Sequence, residues 1–216
     1  MIDSLVHCAE LLHQSTISGP LADMDGAPYF LATIHRPSNV DDLAQLSEAI
    51  EILQSASRLA PLFFVTHPRT LERLKRLEGA ESLVQGYGAA QKIERGFVYL
   101  LPPLAYLDFL RLMSSSSAVL TDSGGVQEET TFLGIPCLTL RENTERPVTV
   151  ELGSNEIVGL DRSRILSHLA SIITNSWKQP SKPVLWDGHA AERIVRVLSE
   201  KFGLANLHAN MRAGNG

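Results

Sequence analysis

Residues 118–129 read AVLTDSGGVQEE, a short apolar run that leads through two glycines into a polar stretch of helix-forming residues. This order predicts a buried strand, a tight turn and the start of a helix whose first backbone N–H groups are unpaired. Such an end attracts an anion, and the glycines would let a phosphate group approach the backbone closely. Taken alone, an ordinary strand-to-helix turn explains the segment more simply. The G-x-x-x-x-G-K-[ST] and G-x-G-x-x-G patterns are both missing, so neither a P-loop NTPase nor a standard dinucleotide site is supported.

The rest of the chain repeats this alternation of strand and helix. The β-rich runs lie at residues 29–34, 62–66, 97–101, 118–121, 136–140 and 155–158. Helical stretches lie at residues 41–59, 70–77, 106–114, 126–133, 163–175 and 190–202. Alternation of this kind predicts an α/β fold with a doubly wound, Rossmann-like parallel sheet covered by helices on both faces.

Length and composition bound the class of protein. The chain has 216 residues, of which 44% are hydrophobic and 20% charged, which is enough for one large domain with a sizeable core. Its net charge of −5 lacks the basic excess of a general nucleic-acid binder, so we expect no nucleic-acid partner. An anionic ligand would have to be held by local groups.

Other patterns exclude several kinds of site. The two cysteines, Cys8 and Cys137, are far apart, so we expect no disulfide framework and a reducing, cytoplasmic location. The longest apolar runs fall far short of the roughly 20 residues of a membrane span, and the first residues lack the basic region of a signal peptide. Neither H-E-x-x-H nor C-x-x-C occurs, so no metal and no cofactor are expected.

Chemically active residues follow the predicted strands. His35 and Arg36 follow the first strand, His67 the second, Asp122 to Gly125 the fourth, and Arg141 the fifth. Ligands of an open parallel sheet bind at the carboxyl ends of its strands. We therefore expect these separate loops to converge on one crevice.

Three further residues have two interpretations each. Glu128 and Glu129 open a helix, where carboxylates interact favourably with the helix dipole, and one of them would alternatively accept hydrogen bonds from a ribose diol. Arg146 precedes Pro147, which suits the first position of a helix, and its guanidinium would bind a diphosphate in bidentate fashion. The alternative is a surface ion pair of Glu145 with Arg146 or with Arg141.

Several long motifs in the same order resemble the non-hydrolysing UDP-N-acetylglucosamine 2-epimerases. They are TIHRPSNVD at residues 33–41, HPRT at 67–70, YLDF at 106–109, TDSGGVQEE at 121–129 and RENTERP at 141–147. The resemblance spans nearly the whole chain. Ser38 and Val148 depart from it, since many family members carry Glu at both positions.

The resemblance implies the C-terminal half of a two-domain enzyme of the glycosyltransferase-B type, about twice as long as this chain. Residues 1–27 would form the hinge helix and linker, residues 28–205 the C-terminal UDP-binding Rossmann-like domain, and residues 206–216 a flexible tail. The N-terminal catalytic domain, which carries the family's acidic residues for acid/base work at sugar C2, would have no counterpart here.

The resemblance also implies a reaction. UDP is eliminated from UDP-N-acetylglucosamine to give 2-acetamidoglucal, and its re-addition gives UDP-N-acetylmannosamine. His35 would be the catalytic residue of this half, near the diphosphate. The residues implied to bind substrate are Ser123, Gly124 and Gly125 for phosphate, Glu129 for ribose, Arg146 for the diphosphate, Leu104 and Phe109 for uracil, and Arg36 and His67 for a cleft that also holds an activating second substrate molecule.

Three functional hypotheses remain open from the sequence. The chain is an epimerase half that needs a separate N-terminal half, a non-catalytic nucleotide-sugar-binding remnant, or half of a glycosyltransferase. The last is disfavoured because HRPSN and TERP resemble epimerases more specifically. The family also implies a homodimer and a role in the biosynthesis of cell-surface polysaccharides.

Overall fold

The computed structural model describes residues 1–12, 26–77, 83–85 and 93–202. Within these residues, seven strands form one sheet. They are β1 (Phe30–Thr33), β2 (Leu62–Val65), β3 (Val84–Gln85), β4 (Val98–Leu101), β5 (Ala118–Thr121), β6 (Cys137–Thr139) and β7 (Asn155–Ile157). The helices are α1 (Ile2–Leu12), α2 (Pro37–Val40), α3 (Leu43–Ser57), α4 (Pro68–Leu74), α5 (Tyr106–Ser114), α6 (Gly124–Leu133), α7 (Pro147–Glu151), α8 (Arg162–Ile173) and α9 (Ala190–Lys201).

The sheet is parallel throughout and has the order β3-β4-β2-β1-β5-β6-β7. Each of the six predicted β-rich runs contains one strand, and the order of those six is that of the dinucleotide-binding fold. The prediction missed β3, an edge strand of only two residues. The direction of connection reverses between β1 and β5, which are neighbours in the sheet, and this reversal defines a crevice at their carboxyl ends.

The strands are buried on both faces, which is why they read as continuous apolar runs rather than as an alternation. Along β2, Leu62 and Phe64 belong to one apolar layer, and Phe63 and Val65 belong to the other. The first layer packs against α3 and α8, and the second packs against α1, α5 and α6. The predicted doubly wound architecture is therefore confirmed.

Helix α1 belongs to the second layer. Leu5 is fully buried there, and α1 contacts both α5 and α6. The predicted leading helix thus exists and packs on the domain, while its role as a hinge stays a prediction. Most of the predicted linker and all of the predicted tail lie outside the described residues.

Helix α6 ends at Gly134, which takes a left-handed conformation with φ of 73°. Such a φ strains any residue with a Cβ atom, so glycine suits this sharp return into β6. No helix among the described residues is long and apolar enough to cross a membrane.

Candidate functional site

The predicted crevice lies where β1 and β5 end side by side. Its central residue is Asp122, which directly follows β5 and is fully buried. Its carboxylate accepts hydrogen bonds from the backbone N–H groups of His35, at 3.0 and 3.1 Å, and Arg36, at 2.8 Å. It also accepts one from Nδ2 of Asn39 at 3.0 Å. Because a buried carboxylate needs such donors, Asp122 holds the loop after β1 against the end of β5.

The hydrogen bonds of Asn39 extend this connection to the loop after a third strand, β6. Asn39 is buried and donates a second hydrogen bond to the carbonyl oxygen of Leu140, which follows β6, at 3.0 Å. The loops after β1, β5 and β6 are therefore fixed to one another by one amide and one carboxylate. Asp122 was predicted to lie at the crevice, but neither it nor Asn39 was predicted to fasten the loops to one another. The signal was a charged residue at the end of an apolar strand, which is rare unless the charge is paired.

The two predicted histidines do come together. The His35 and His67 rings have centroids 5.8 Å apart. Nδ1 of His35 lies 3.2 Å from Oδ1 of Asp122, so the carboxylate orients the ring through this nitrogen atom. His67 begins α4, where its Nδ1 accepts the backbone N–H of Arg69 at 3.2 Å. The first ring is half-exposed and the second is exposed.

Helix α6 presents its N-terminus to the same crevice. It starts after Ser123, whose side chain makes no capping hydrogen bond. Gly124 and Gly125 form its first positions, and all three residues are partly exposed. The predicted anion-attracting helix end therefore exists, and its N–H groups are not capped by the helix's own side chain.

Paired arginines surround this end of α6. The guanidinium of Arg36 lies 3.2 Å from Glu145, which also pairs with Arg141 at 2.7 Å. A Cβ atom on Gly124 would lie 3.7 Å from Glu145 and 4.0 Å from Arg36, so this ion pair sits directly over the helix start. Hydrogen bonding from Arg141 is the largest cause that lowers the pKa of Glu145 to about 2. The carboxylate consequently stays charged at neutral pH.

Arg146 also lies beside α6. Its Nε is 2.9 Å from Oε1 of Glu128. Of the two ion pairs left open by the sequence, Glu145 thus forms the one with Arg141, whereas Arg146 pairs with Glu128. Pro147 begins the short helix α7 as predicted, with Arg146 immediately before it.

Glu128 and Glu129 point to different partners. Glu129 is only 7% exposed, and its Oε1 accepts a hydrogen bond from the hydroxyl group of Tyr106 at 2.7 Å. Burial raises the pKa of Glu129, and the charge of Glu128 adds to the rise, while the Tyr106 hydrogen bond opposes it. Glu128 is therefore paired with Arg146 and Glu129 with the Tyr106 hydroxyl group, and the ribose role of Glu129 stays a prediction.

The two residues implied for uracil lie near the start of α5. Leu104 is on the loop after β4 and Phe109 is within the helix. Both are half-buried and pack against the second apolar layer. Tyr106, which lies between them in the sequence, connects this segment to α6.

A buried polar network connects α6 to the loop that carries Thr144 and Arg146. Oε1 of Gln127, which is fully buried, accepts hydrogen bonds from Thr144 at 2.5 Å and from Nδ2 of Asn155 at 3.2 Å. The Thr144 hydroxyl oxygen in turn accepts the backbone N–H of Arg146 at 3.0 Å. Sequence reasoning missed this network, although an asparagine inside a strand is unusual enough to signal it.

The model of the family described as UDP-N-acetylglucosamine 2-epimerase matches residues 1–199. A UDP-N-acetylglucosamine 2-epimerase of Methanocaldococcus jannaschii is 39% identical over 180 residues, which are 79% of this chain and 44% of the relative. A UDP-2,3-diacetamido-2,3-dideoxy-D-glucuronate 2-epimerase of Pseudomonas aeruginosa is 34% identical over 83% of this chain and 46% of its own length. The chain thus spans about half the length of the curated relatives it matches.

Solved structures of UDP-GlcNAc 2-epimerases also match the fold of this chain. The Methanocaldococcus jannaschii UDP-GlcNAc 2-epimerase in complex with UDP-GlcNAc and UDP matches with a TM-score of 0.72 and 33% identity, over 92% of this chain and 52% of that one. The Neisseria meningitidis UDP-GlcNAc 2-epimerase bound to UDP-GlcNAc matches with a TM-score of 0.68 and 27% identity, over 92% and 53%.

Proposed function

Because this chain belongs to the UDP-N-acetylglucosamine 2-epimerase family, we propose that it is the nucleotide-binding half of such an enzyme. The enzyme would interconvert UDP-N-acetylglucosamine and UDP-N-acetylmannosamine by eliminating UDP and adding it back. A separate N-terminal half would supply the acid/base groups that remove and return the C2 proton. This half would stabilise UDP as the leaving group.

The observation that carries the proposal is the convergence at the start of α6. An uncapped helix N-terminus, the Asp122-oriented ring of His35 and the guanidinium of Arg146 surround one crevice at the switch point of the sheet. Departure of UDP places negative charge on a diphosphate oxygen. Preorganised N–H groups and cations stabilise that developing charge without having to rearrange during the reaction.

Each residue of the proposed site has a task in this scheme. Backbone N–H groups of Ser123, Gly124 and Gly125 would hold phosphate oxygens, and the carboxylate of Glu129 would accept the ribose hydroxyl groups. His35 would act at the diphosphate through Nε2. Leu104 and Phe109 would border the uracil, and Arg36 with His67 would line the adjoining cleft, where a second substrate molecule binds.

The ion pairs around α6 fit a site that exchanges anions. Arg36 pairs with Glu145, and Arg146 pairs with Glu128, so both guanidinium groups already have a carboxylate partner. A diphosphate would replace those carboxylate partners with a more highly charged one in the same positions. Ligand binding would therefore reorient these side chains rather than recruit distant ones.

The surface of α9 supports a partner domain. Among the described residues, this helix has no buried side chain, and its apolar residues form one stripe. The stripe consists of Ile194, Val195, Val197, Leu198 and Phe202, which are 44% to 64% exposed. The relatives are about twice as long as this chain. We propose that the absent half covers this stripe.

The first test is calorimetric titration of UDP into the purified chain. Binding supports the proposed half-site, whereas no heat of binding and no broadening of the uridine NMR signals would contradict it. A matched variant, His35→Gln, should still bind UDP because most diphosphate contacts remain.

The second test is a proton NMR time course with UDP-N-acetylglucosamine in D2O. The chain alone should leave the sugar H2 signal intact. Addition of the N-terminal half of the Methanocaldococcus jannaschii relative should cause loss of H2 and appearance of the manno isomer. Loss of H2 with the chain alone would place the acid/base pair in this half.

The same mixture tests the alternatives. A mixture that binds UDP but stays inert, even when the two halves are joined in one chimeric chain, would favour the non-catalytic remnant. Transfer of the sugar to an acceptor, with release of UDP, would favour the glycosyltransferase.

A further inference from the structure

Tyr106 connects the start of α5 to the middle of α6. It is the first residue of α5, and its hydroxyl group reaches Oε1 of Glu129 on α6 at 2.7 Å. The tyrosine is 41% exposed, whereas the glutamate is 7% exposed. The hydrogen bond therefore lies at the boundary between the interior and the open crevice, where a ligand would meet both side chains.

The hydroxyl group of Tyr106 restricts the orientation of the Glu129 carboxylate. A glutamate side chain has three rotatable bonds, and a donor on Oε1 selects one of the orientations these bonds allow. The second oxygen, Oε2, keeps its capacity to accept hydrogen bonds. Because a hydrogen bond to the charged form favours that form, Tyr106 also opposes the rise in the pKa of Glu129 that burial causes.

The position of Glu129 along α6 relates it to the anion-attracting end. Gly125 and Glu129 are four residues apart, so they lie on the same face of the helix, about 6 Å apart along its axis. A ligand with phosphate groups on the first turn would bring its neighbouring sugar to the carboxylate. For a nucleoside diphosphate that sugar is the ribose.

We propose that Tyr106 is a positioning residue that makes this site select a ribonucleoside diphosphate over its 2′-deoxy counterpart, by fixing the carboxylate of Glu129 toward the ribose hydroxyl groups. The inference rests on the proposed function, since it takes UDP as the ligand. Tyr106 acts through Glu129 and is not itself a catalytic residue.

The test measures the affinities of UDP and 2′-deoxy-UDP by calorimetry for the wild-type chain and for Tyr106→Phe. The wild type should bind UDP about tenfold more tightly than 2′-deoxy-UDP, as expected for a lost hydrogen bond to a charged group. In Tyr106→Phe, the UDP affinity should fall about tenfold while the 2′-deoxy-UDP affinity changes little. The preference for ribose would then largely disappear.

Tyr29→Phe is the matched control. The Tyr29 hydroxyl donates to the carbonyl oxygen of Leu112 at 2.6 Å, and Tyr29 precedes β1, at the opposite end of the sheet from the crevice. The same chemical change there removes a buried hydrogen bond without touching Glu129. This variant should keep the preference for UDP even if it melts at a lower temperature.

The outcomes separate this inference from the function on which it rests. A wild-type chain that does not bind UDP overturns both. A wild-type chain that prefers UDP, together with Tyr106→Phe that keeps the full preference, overturns only the role of Tyr106. Equal losses for both nucleotides in Tyr106→Phe also overturn it, because they would indicate a general structural effect.

The pH dependence supplies a readout that a purely structural role would not change. Glu129 faces Tyr106 from α5, Glu128 on its own helix and the amino group of Met1 from α1. Loss of the Tyr106 hydroxyl group removes a cause that lowers the pKa of Glu129. The part of the preference for ribose that remains in Tyr106→Phe should therefore fall at a higher pH than the preference of the wild type does. Titration of the phosphate affects both nucleotides alike and cancels in their ratio, so identical profiles would contradict the proposal.

Discussion

Helices α6 and α8 both begin after a strand of the same sheet, yet their N-termini are built differently. Asp161 precedes α8, and its carboxylate accepts the backbone N–H of Arg164 at 3.0 Å and the hydroxyl of Ser163 at 2.7 Å. Ser123 precedes α6 and makes no side-chain cap, and two glycines follow it. The residue before α8 caps its helix with its own side chain, and the residue before α6 does not.

Under the proposed function, this difference marks where helix stability is given up for ligand binding. An absent side-chain cap forgoes about 1 kcal/mol of helix stability, and a glycine costs about 1 kcal/mol relative to alanine within a helix. Helix α6 accepts both losses although it follows the central strand β5. The open end with its closely approachable backbone is what an anionic ligand requires. Helix α8, after the edge strand β7, has no such requirement.

The largest effect should come from giving α6 the kind of N-terminus that α8 has. Ser123→Asp would place a carboxylate on the N–H groups that we assign to phosphate. UDP affinity should fall about 100-fold, because the site would meet both an occupied helix end and a repelling charge. The melting temperature should rise by about 2–4 °C, as the new cap stabilises the helix. Calorimetry and thermal unfolding measure the two effects.

The prediction is specific because UDP affinity should fall while the melting temperature rises. A variant that loses both UDP binding and stability would indicate misfolding at the turn rather than competition for the helix end. Ser123→Ala serves as the control, since it removes the hydroxyl group but leaves the N–H groups open. Its UDP affinity should stay much closer to that of the wild type.

Removal of the arginine beside each helix should have unequal effects. Arg146 lies 2.9 Å from Glu128 on α6, and Arg164, on α8, lies 3.6 Å from Glu156. Arg146→Ala should weaken UDP binding about tenfold, through loss of a cation at the diphosphate. Arg164→Ala should leave UDP binding unchanged, because α8 offers no open end. Equal losses in the two variants would contradict the assignment of the site to α6.

Part of the Arg146 effect comes from the carboxylate that it leaves behind. In Arg146→Ala, Glu128 becomes an unpaired negative charge close to the diphosphate. The double variant Arg146→Ala/Glu128→Gln should therefore recover some of the lost UDP affinity. An unchanged affinity would show that Glu128 lies too far from the ligand to repel it.

The reverse change at α8 should affect stability alone. Asp161→Ala removes the cap, so the melting temperature should fall by about 2–4 °C. UDP affinity should not change, because Asp161 precedes a helix that does not border the proposed site. A loss of UDP binding in this variant would mean that α8 communicates with the crevice and that the two helix ends are not independent.

The sequence predicted the positions of these helix ends but not their side-chain partners. Strand and helix positions followed from apolar runs and glycines, and the convergence of the loops followed from a rule of parallel sheets.

The side-chain partners depend on distances between segments far apart in the chain. Arg146 had carboxylates available on either side, and only the packing of α6 against its loop selects Glu128 over Glu145. The bond between Tyr106 and Glu129 likewise depends on how α5 lies beside α6. Strand β3 was missed because two residues carry no periodicity.

The smallest effect concerns pH and contrasts the carboxylates of the two helices. Burial raises the pKa of Glu129, so the folded state binds its proton more tightly than the unfolded state. Stability from this group is therefore present at low pH and is lost as the pH rises through the folded-state pKa. Glu129→Gln does not titrate, so it should melt at a higher temperature than the wild type at pH 8, and the difference should shrink toward pH 4.5.

Asp161 should behave in the opposite way. Hydrogen bonding from the backbone of Arg164 is the largest cause that lowers its pKa below the ordinary 3.8. Its contribution is therefore present above that value and is lost as the pH falls through the folded-state pKa. Asp161→Asn should differ from the wild type at neutral pH and approach it in acid. Thermal unfolding from pH 3 to pH 8 measures both differences. If the stabilising effect of Glu129→Gln did not shrink in acid, titration of Glu129 would not be the cause of that effect. The two expected results together would show that the Glu129 carboxylate on α6 destabilises the fold at neutral pH, whereas the Asp161 carboxylate before α8 stabilises it.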